Sequence, residues 1–204
     1  MTPEQRTALR RIDRQFDAVR GMPEPIPPRE RYRHGIQDLA TGSYLRCKGQ
    51  LYQVVAISEY REKNEKWAEL ECFSLTSGET TTFEWEQDDE IEISINGPGM
   101  SLAEVGVSAD QVEEMSDEEE GKISFDGRTY HYDDDYGATY FRGGSSEGEK
   151  VYFYDFETKD EKFCLSVEEW GDESAGYEYK AFVSEYLEPD AIEVVVLASS
   201  AHGS

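Results

Sequence analysis

The chain has 204 residues, with 45 Asp and Glu against 20 Lys and Arg and a formal charge of −25. A field of that sign repels nucleic-acid backbones, anionic membrane surfaces and nucleotide phosphates, and attracts cations and basic proteins. Aromatic residues reach 12%, including 13 tyrosines, enough for a packed core, and no run approaches the ~18 apolar residues of a membrane span. With no apolar leader at its start, the chain is expected to be cytoplasmic, with no transmembrane segment.

The charge is unevenly divided. Residues 1–34 hold eight Arg and five acidic residues, net +3, whereas residues 35–204 hold 12 basic and 40 acidic residues, net −28. Residues 1–21 read as an amphipathic helix: Thr2 and Gln5 form a capping box, Pro3 suits the first turn, and Gly21 followed by Pro23 ends it. Leu9, Ile12, Phe16 and Val19 make one narrow stripe flanked by Arg6, Arg10, Arg14 and Arg20. This stripe is expected to dock on the protein's own sheet or on a second copy, which would make a homo-oligomer. Membrane or partner binding is the other reading, weakened by Asp13 and Asp17. In residues 22–35, Pro23, Pro25, Pro27 and Pro28 specify a stiff extended arm.

The chain then repeats itself. "LRCKGQLYQVV" and "ISFDGRTYHYD" align 78 residues apart, each as a hairpin turning at Lys48-Gly49 or Asp126-Gly127. A second hairpin follows in each unit. A two-residue turn at Ser77-Gly78 would pair Leu70 with Trp85 and Cys72 with Phe83. One at Lys159-Asp160 would pair Phe156 with Phe163, Tyr154 with Leu165 and Tyr152 with Val167, 82 residues further on. The units are expected to close with "IEISI" from Ile91 and "IEVVVL" from Ile192. The expected fold is mainly β: two tandem antiparallel meanders, residues 36–97 and 121–197, packed as one sandwich- or barrel-like domain. An acidic connector at 98–120, helical or mobile, joins them, the N-terminal helix precedes them, and 198–204 form a flexible tail.

The stretches "LATGSYLRCKGQLYQVV", "KWAEL" and "TTTFEWE", then "FDGRTYHYDDDYGATY", "VYFYDF" and "LSVEEWGDES", run in an order that resembles the bacterial domain of unknown function numbered 4178. The resemblance covers roughly Ile36 to Leu197. It implies a β-rich fold and brings no catalytic residues. Members of that family are often encoded beside membrane-stress and polyamine-related proteins, which implies an accessory or adaptor role. The arginine-bearing helix and the extreme acidity lie outside the family's pattern.

Four glutamates concentrate the functional question. In the expected register Glu69 faces Glu86 and Glu71 faces Glu84, opposite the apolar face of the hairpin, and like charges so opposed are unfavourable by roughly 0.2–1 kcal/mol per pair. They could form a solvated face, a docking surface for a basic partner, or a site for a divalent cation or carboxylate catalysis. Shifted by 82 they fall on Val151, Phe153, Ser166 and Glu168, so the quartet is expected to be peculiar to the first unit. The helix stripe is then a candidate cover for Val151 and Phe153.

The remaining chemistry is sparse. Asp133, Asp134 and Asp135 lack the spacing of a calcium loop and read as a turn. They are weak metal candidates beside His131, and no metal site is assigned. His34 and His202 fall in arm and tail, and Cys47, Cys72 and Cys164 read as separate buried thiols. No phosphate-binding loop, dinucleotide fingerprint or nucleophile elbow occurs. The expectation is a non-enzymatic acidic interaction module that recruits a basic protein segment, with no cofactor and no direct nucleic-acid contact. The alternatives are a nucleic-acid mimic that occupies a DNA-binding protein, and a carboxylate-dependent hydrolase.

Overall fold

The computed structural model describes residues 2–172, 174 and 176–198; the expected tail beyond Ala198, with His202, lies outside them. Helix α1 (Pro3–Arg20) carries the capping box: the Thr2 hydroxyl accepts from Gln5 N, and the Gln5 side chain accepts from Thr2 N. The arm then leads into β1 (Tyr44–Cys47), β2 (Gln50–Glu62), β3 (Glu65–Ser74), β4 (Thr80–Gln87) and β5 (Ile91–Asn96). The connector forms two short capped helices, α2 (Leu102–Val105) and α3 (Ala109–Asp117). Strands β6 (Lys122–Phe125), β7 (Arg128–Phe141), β8 (Glu149–Thr158), β9 (Phe163–Asp172), β10 (Gly176–Leu187) and β11 (Glu193–Val196) complete the chain.

Both first hairpins turn where the sequence places them, with positive φ at Lys48, Gly49, Asp126 and Gly127. A turn with two positive φ angles matches the natural twist of the strands, and glycine at its second position carries no Cβ penalty.

The second hairpins differ from expectation by two residues. Ser74 N bonds Glu79 O across a four-residue loop, and the Ser74 hydroxyl accepts from Thr76 N and Ser77 N. In β8–β9 the Thr158 hydroxyl accepts from Phe163 N across a loop of the same length. These hydroxyls satisfy loop amides that a tighter turn would pair within the strands. Leu70 therefore pairs with Phe83, Ala68 with Trp85, Phe156 with Leu165 and Tyr154 with Val167.

The closing strands also differ. Beside β5 lies β10, and β11 crosses to pair with β1. All eleven strands form one antiparallel sheet, and β2 and β7 meet through Glu59–Arg61 and Thr139–Phe141. This contact closes the ring β2-β3-β4-β5-β10-β9-β8-β7, an eight-stranded barrel, with β1 and β11 continuing the sheet beyond β2 and β6 beyond β7.

A bulge in each long strand makes closure possible. Val55 in β2 and Asp133 in β7 stand between the shifted pairs of the ladder. An extra residue reverses the alternation of side chains. Before it, Tyr52 and Val54 join an apolar cluster outside the ring with Leu70, Cys72 and Phe83, covered by β1, β11 and the arm. Tyr130 and Tyr132 do the same with Phe156 and Leu165, covered by α2 and α3 through Val105 and Val112. Past the bulges, Tyr60, Tyr136, Ala138 and Tyr140 point into the ring. The two largest cores thus lie outside the barrel, leaving its interior free for polar residues.

Helix α1 does not dock on its own sheet by its stripe. Arg14 lies over the Phe73 ring at 4.1 Å, Gln15 Nε2 donates to Leu75 O at 2.9 Å, and the Tyr44 hydroxyl donates to Ala18 O at 2.7 Å. Leu9, Ile12, Phe16 and Val19 face outward, 45% to 65% exposed. Val151 and Phe153, for which that stripe was a candidate cover, are buried inside the ring against Tyr60 and Trp67.

Candidate functional site

One half of the interior is aromatic. Tyr60 stacks on Trp67, with centroids 5.0 Å apart and planes 11° apart, and Tyr136 stacks on Phe153 at 5.1 Å. The other half is a cavity of about 300 Å³. Its rim carries the exposed Glu65, Glu92 and Asp134 together with Glu62 and Glu86, and its base carries Glu84, Asp155 and Glu168. Trp67, Tyr136 and Phe153 supply aromatic wall. Among the described residues no Lys or Arg lines it.

Among the described residues, the acids at the base have only neutral hydrogen-bond donors. Asn96 Nδ2 donates to Glu84 Oε1 at 2.6 Å and is itself held by the Ser184 hydroxyl at 2.8 Å. Trp170 Nε1 donates to Glu168 Oε2 at 2.7 Å, and the Tyr136 hydroxyl to Asp155 Oδ2 at 3.1 Å. Deeper still, Glu69 Oε1 lies 2.8 Å from the Tyr140 hydroxyl. Asp155 Oδ1 and Ser166 Oγ, neighbours across β8 and β9, are buried with no hydrogen-bond partner among the described residues. At the rim Glu62 is paired with Lys63 at 3.0 Å, and Lys180, in register with Glu168, pairs at 3.6 Å with exposed Glu178.

An ionised carboxylate in such a place costs several kcal/mol unless a positive charge accompanies it. The cost appears as raised pKa values. Burial, with Glu69 nearby, pushes Glu84 up to about 8. Burial pushes Glu168 to about 7 against the Trp170 indole N–H. Asp155 reaches about 6, again through burial, against the Tyr136 hydroxyl. Glu69 and Glu86 are raised by burial as well.

The four glutamates share one sheet face, the inner one, but in a register shifted by two residues from the expected one. Glu69 stands opposite Glu84 rather than Glu86, both inside the ring; Glu86 stands opposite Trp67 at the rim, and Glu71 opposite Thr82, half-buried. The register also alters the comparison between the units. Matched through the loop-closing pairs Ser74/Glu79 and Thr158/Phe163, the hairpins correspond 84 residues apart, so Glu84 matches Glu168 and Glu71 matches Asp155. Acidic residues thus recur at the interior positions of the second unit. Asp155 and Glu168 were outside the quartet; their signal was an acidic residue breaking an apolar alternation in "VYFYDF" and "LSVEEW".

The aspartate run is strand rather than turn. Asp133 is the β7 bulge, Asp134 reaches the cavity rim, and Asp135 lies outside the ring. Asp135 accepts from the Tyr132, Tyr152 and Ser116 hydroxyls. Those donors outweigh its burial and hold it below the ordinary carboxylate value. Among the described residues no three His, Cys, Asp or Glu side chains converge as a metal site. All three cysteines are buried free thiols, and among the described residues no helix is long and apolar enough to cross a membrane.

Residues 40–189 match the family model described as "Domain of unknown function (DUF4178)". The chain belongs to that family. The DUF4178 segment spans β1 to β10 and so contains the whole ring and its carboxylates, while α1 lies before it. No curated protein and no solved structure matches the chain.

Proposed function

We propose that the barrel is a non-catalytic binding module for alkylammonium cations, presented as lysine side chains of a basic protein segment or as a free diamine. The observation that carries this reading is a cavity lined, among the described residues, by eight carboxyl groups and no basic side chain, with Asp155 Oδ1 unpartnered at its base. An entering ammonium group meets the exposed rim acids first, then the faces of Trp67 and Tyr136, where cation–π attraction contributes roughly 0.5–2 kcal/mol. At the base it provides the positive charge that Glu84, Asp155 and Glu168 lack. A flexible aliphatic chain suits a pocket that combines spread carboxylates with aromatic wall better than a compact metal ion, which needs oxygens converging on one point.

The hydrolase reading draws support only from the near-neutral pKa values of Glu84 and Glu168, and the nucleic-acid mimic from net charge alone. Thermal melts separate the two ammonium sources, using 1,4-diaminobutane, a trilysine peptide and neutral 1,4-butanediol as probes. Stabilisation by the diamine alone identifies a small-molecule site, and by the peptide alone a protein-segment site. No shift with either, or an equal shift with the diol, overturns the proposal.

A further inference from the structure

Helix α1 is mounted the wrong way round for a lone amphipathic helix. Its polar side is fixed to the barrel through Arg14, Gln15 and the Ala18 carbonyl, and Arg11 adds an ion pair to Glu79 at 3.6 Å. Its four large apolar residues are left in solvent. A contiguous apolar stripe exposed on an otherwise acidic protein marks a surface that is covered in the working state. The mounting holds the stripe outward, and the polar residues beside it indicate what covers it.

At 3.6 residues per turn, Arg6, Arg10, Asp13 and Asp17 form a row along one border of the stripe. All four are exposed. Among the described residues, Arg6, Arg10 and Asp13 have no ion pair, and Asp17 has one loose contact with Arg20 at 3.9 Å. Arg6 and Asp17, like Arg10 and Asp13, are spaced symmetrically about the point between Arg11 and Ile12. A two-fold axis through that point, running an identical helix antiparallel, sets Arg6 against Asp17 and Arg10 against Asp13. The symmetry repeats both pairs, making four ion pairs. The same operation brings Leu9 beside Phe16 and Ile12 beside its own copy. Self-complementarity of this kind defines an isologous interface, and flanking charges fix the partner and direction of paired helices.

We infer that α1 is the seam of a homodimer in which the α1 helices of two copies pack antiparallel through Leu9, Ile12, Phe16 and Val19. The pairing leaves the barrel mouth and its carboxylates unused, so it stands or falls independently of the binding function.

Charge reversal tests it without disturbing the barrel. Sedimentation of the full chain is expected to give twice the monomer mass. The R6E/R10E variant and the D13R/D17R variant are each expected to sediment as monomers, because every flanking pair becomes like-charged. Their equimolar mixture is expected to return to the dimer mass, since each reversed row then meets its complement. Far-ultraviolet dichroism equal to wild type confirms that each variant is folded, and Phe16→Glu, which leaves the row intact, is expected to dissociate the dimer as well. A monomeric wild type overturns the inference, including one that binds phosphatidylglycerol vesicles through the stripe. A dimer insensitive to both reversals, or a mixture that stays monomeric, overturns it too.

Discussion

Glu69 and Glu84 face each other directly on β3 and β4, inside a closed ring of strands. Two ionised carboxylates at a cross-strand distance of ~5 Å would repel strongly in a dry interior, so one holds its proton into the neutral range. Burial, with Glu69 next in effect, places that proton on Glu84, whose pKa rises to about 8. Glu84→Gln keeps the acceptor for Asn96 and removes the charge. It is expected to raise the urea midpoint at pH 8 with an unchanged slope, a gain on the order of 2 kcal/mol, and to change little at pH 5. Equal destabilisation at both values would contradict this assignment.

The same groups set the pH dependence of the wild type. Glu84, Glu168 and Asp155 have folded pKa values of about 8, 7 and 6, above their ordinary values of 4.5, 4.5 and 3.8. The folded state therefore binds more protons than the unfolded chain between these limits, and stability falls as pH rises through that window. Their contribution is fully present near pH 4 and lost by about pH 9. Melting temperature is expected to decline from pH 5 to pH 8 in a constant-salt series, and a rise over that interval would count against protonated acids in the ring.

Closure of the barrel rests on a short seam. Tyr60, 2% exposed, sits in it among Trp67, Tyr140 and Phe153, with centroid distances of 5.0, 4.7 and 5.5 Å. Tyr60→Ala leaves a void where three rings met and is expected to cost ~3–5 kcal/mol. Amide exchange should accelerate first at Glu59–Arg61 and Thr139–Phe141. Exchange that stays slow there, with fast exchange elsewhere, would show that the seam is held by other contacts.

The bulge at Asp133 is expected to matter as a residue count and not as a side chain. Asp133→Ala at this exposed position should change stability by no more than about 0.5 kcal/mol. Deleting Asp133 restores plain alternation and turns Asp134 and Tyr136 away from the cavity. The deletion variant should lose its cooperative unfolding transition, and a normal transition would mean that β7 re-registers without penalty.

These contrasts explain what was legible beforehand. The capped helix and the turns at Lys48-Gly49 and Asp126-Gly127 follow from local rules that a few residues satisfy by themselves. The loops after Ser74 and Thr158 are longer than their composition indicates, because a hydroxyl accepting amide bonds widens a turn without changing its composition. That two-residue slip kept each side chain on its proper face but paired the wrong glutamates and hid the match between Glu84 and Glu168. Closure was beyond local reading, since it depends on two bulges and three residue pairs about 80 positions apart. Without closure, Glu69 and Glu84 read as the wet side of a sheet rather than the inside of a barrel. The stripe of α1 is legible as a pattern, yet which side the helix turns to the protein is set by contacts from Phe73, Leu75 and Tyr44.

Cation binding at buried acids must displace protons, because an ammonium group at the base favours the ionised forms of Glu84, Asp155 and Glu168. Titration calorimetry with 1,4-diaminobutane at pH 7, repeated in buffers of different ionisation enthalpy, measures binding and proton release together. Saturable binding with protons released, weakened at least tenfold in a Glu84→Gln/Asp155→Asn variant that remains folded, is the result expected. Absence of binding, or affinity and proton release that survive the double substitution unchanged, would contradict a cation site in the ring.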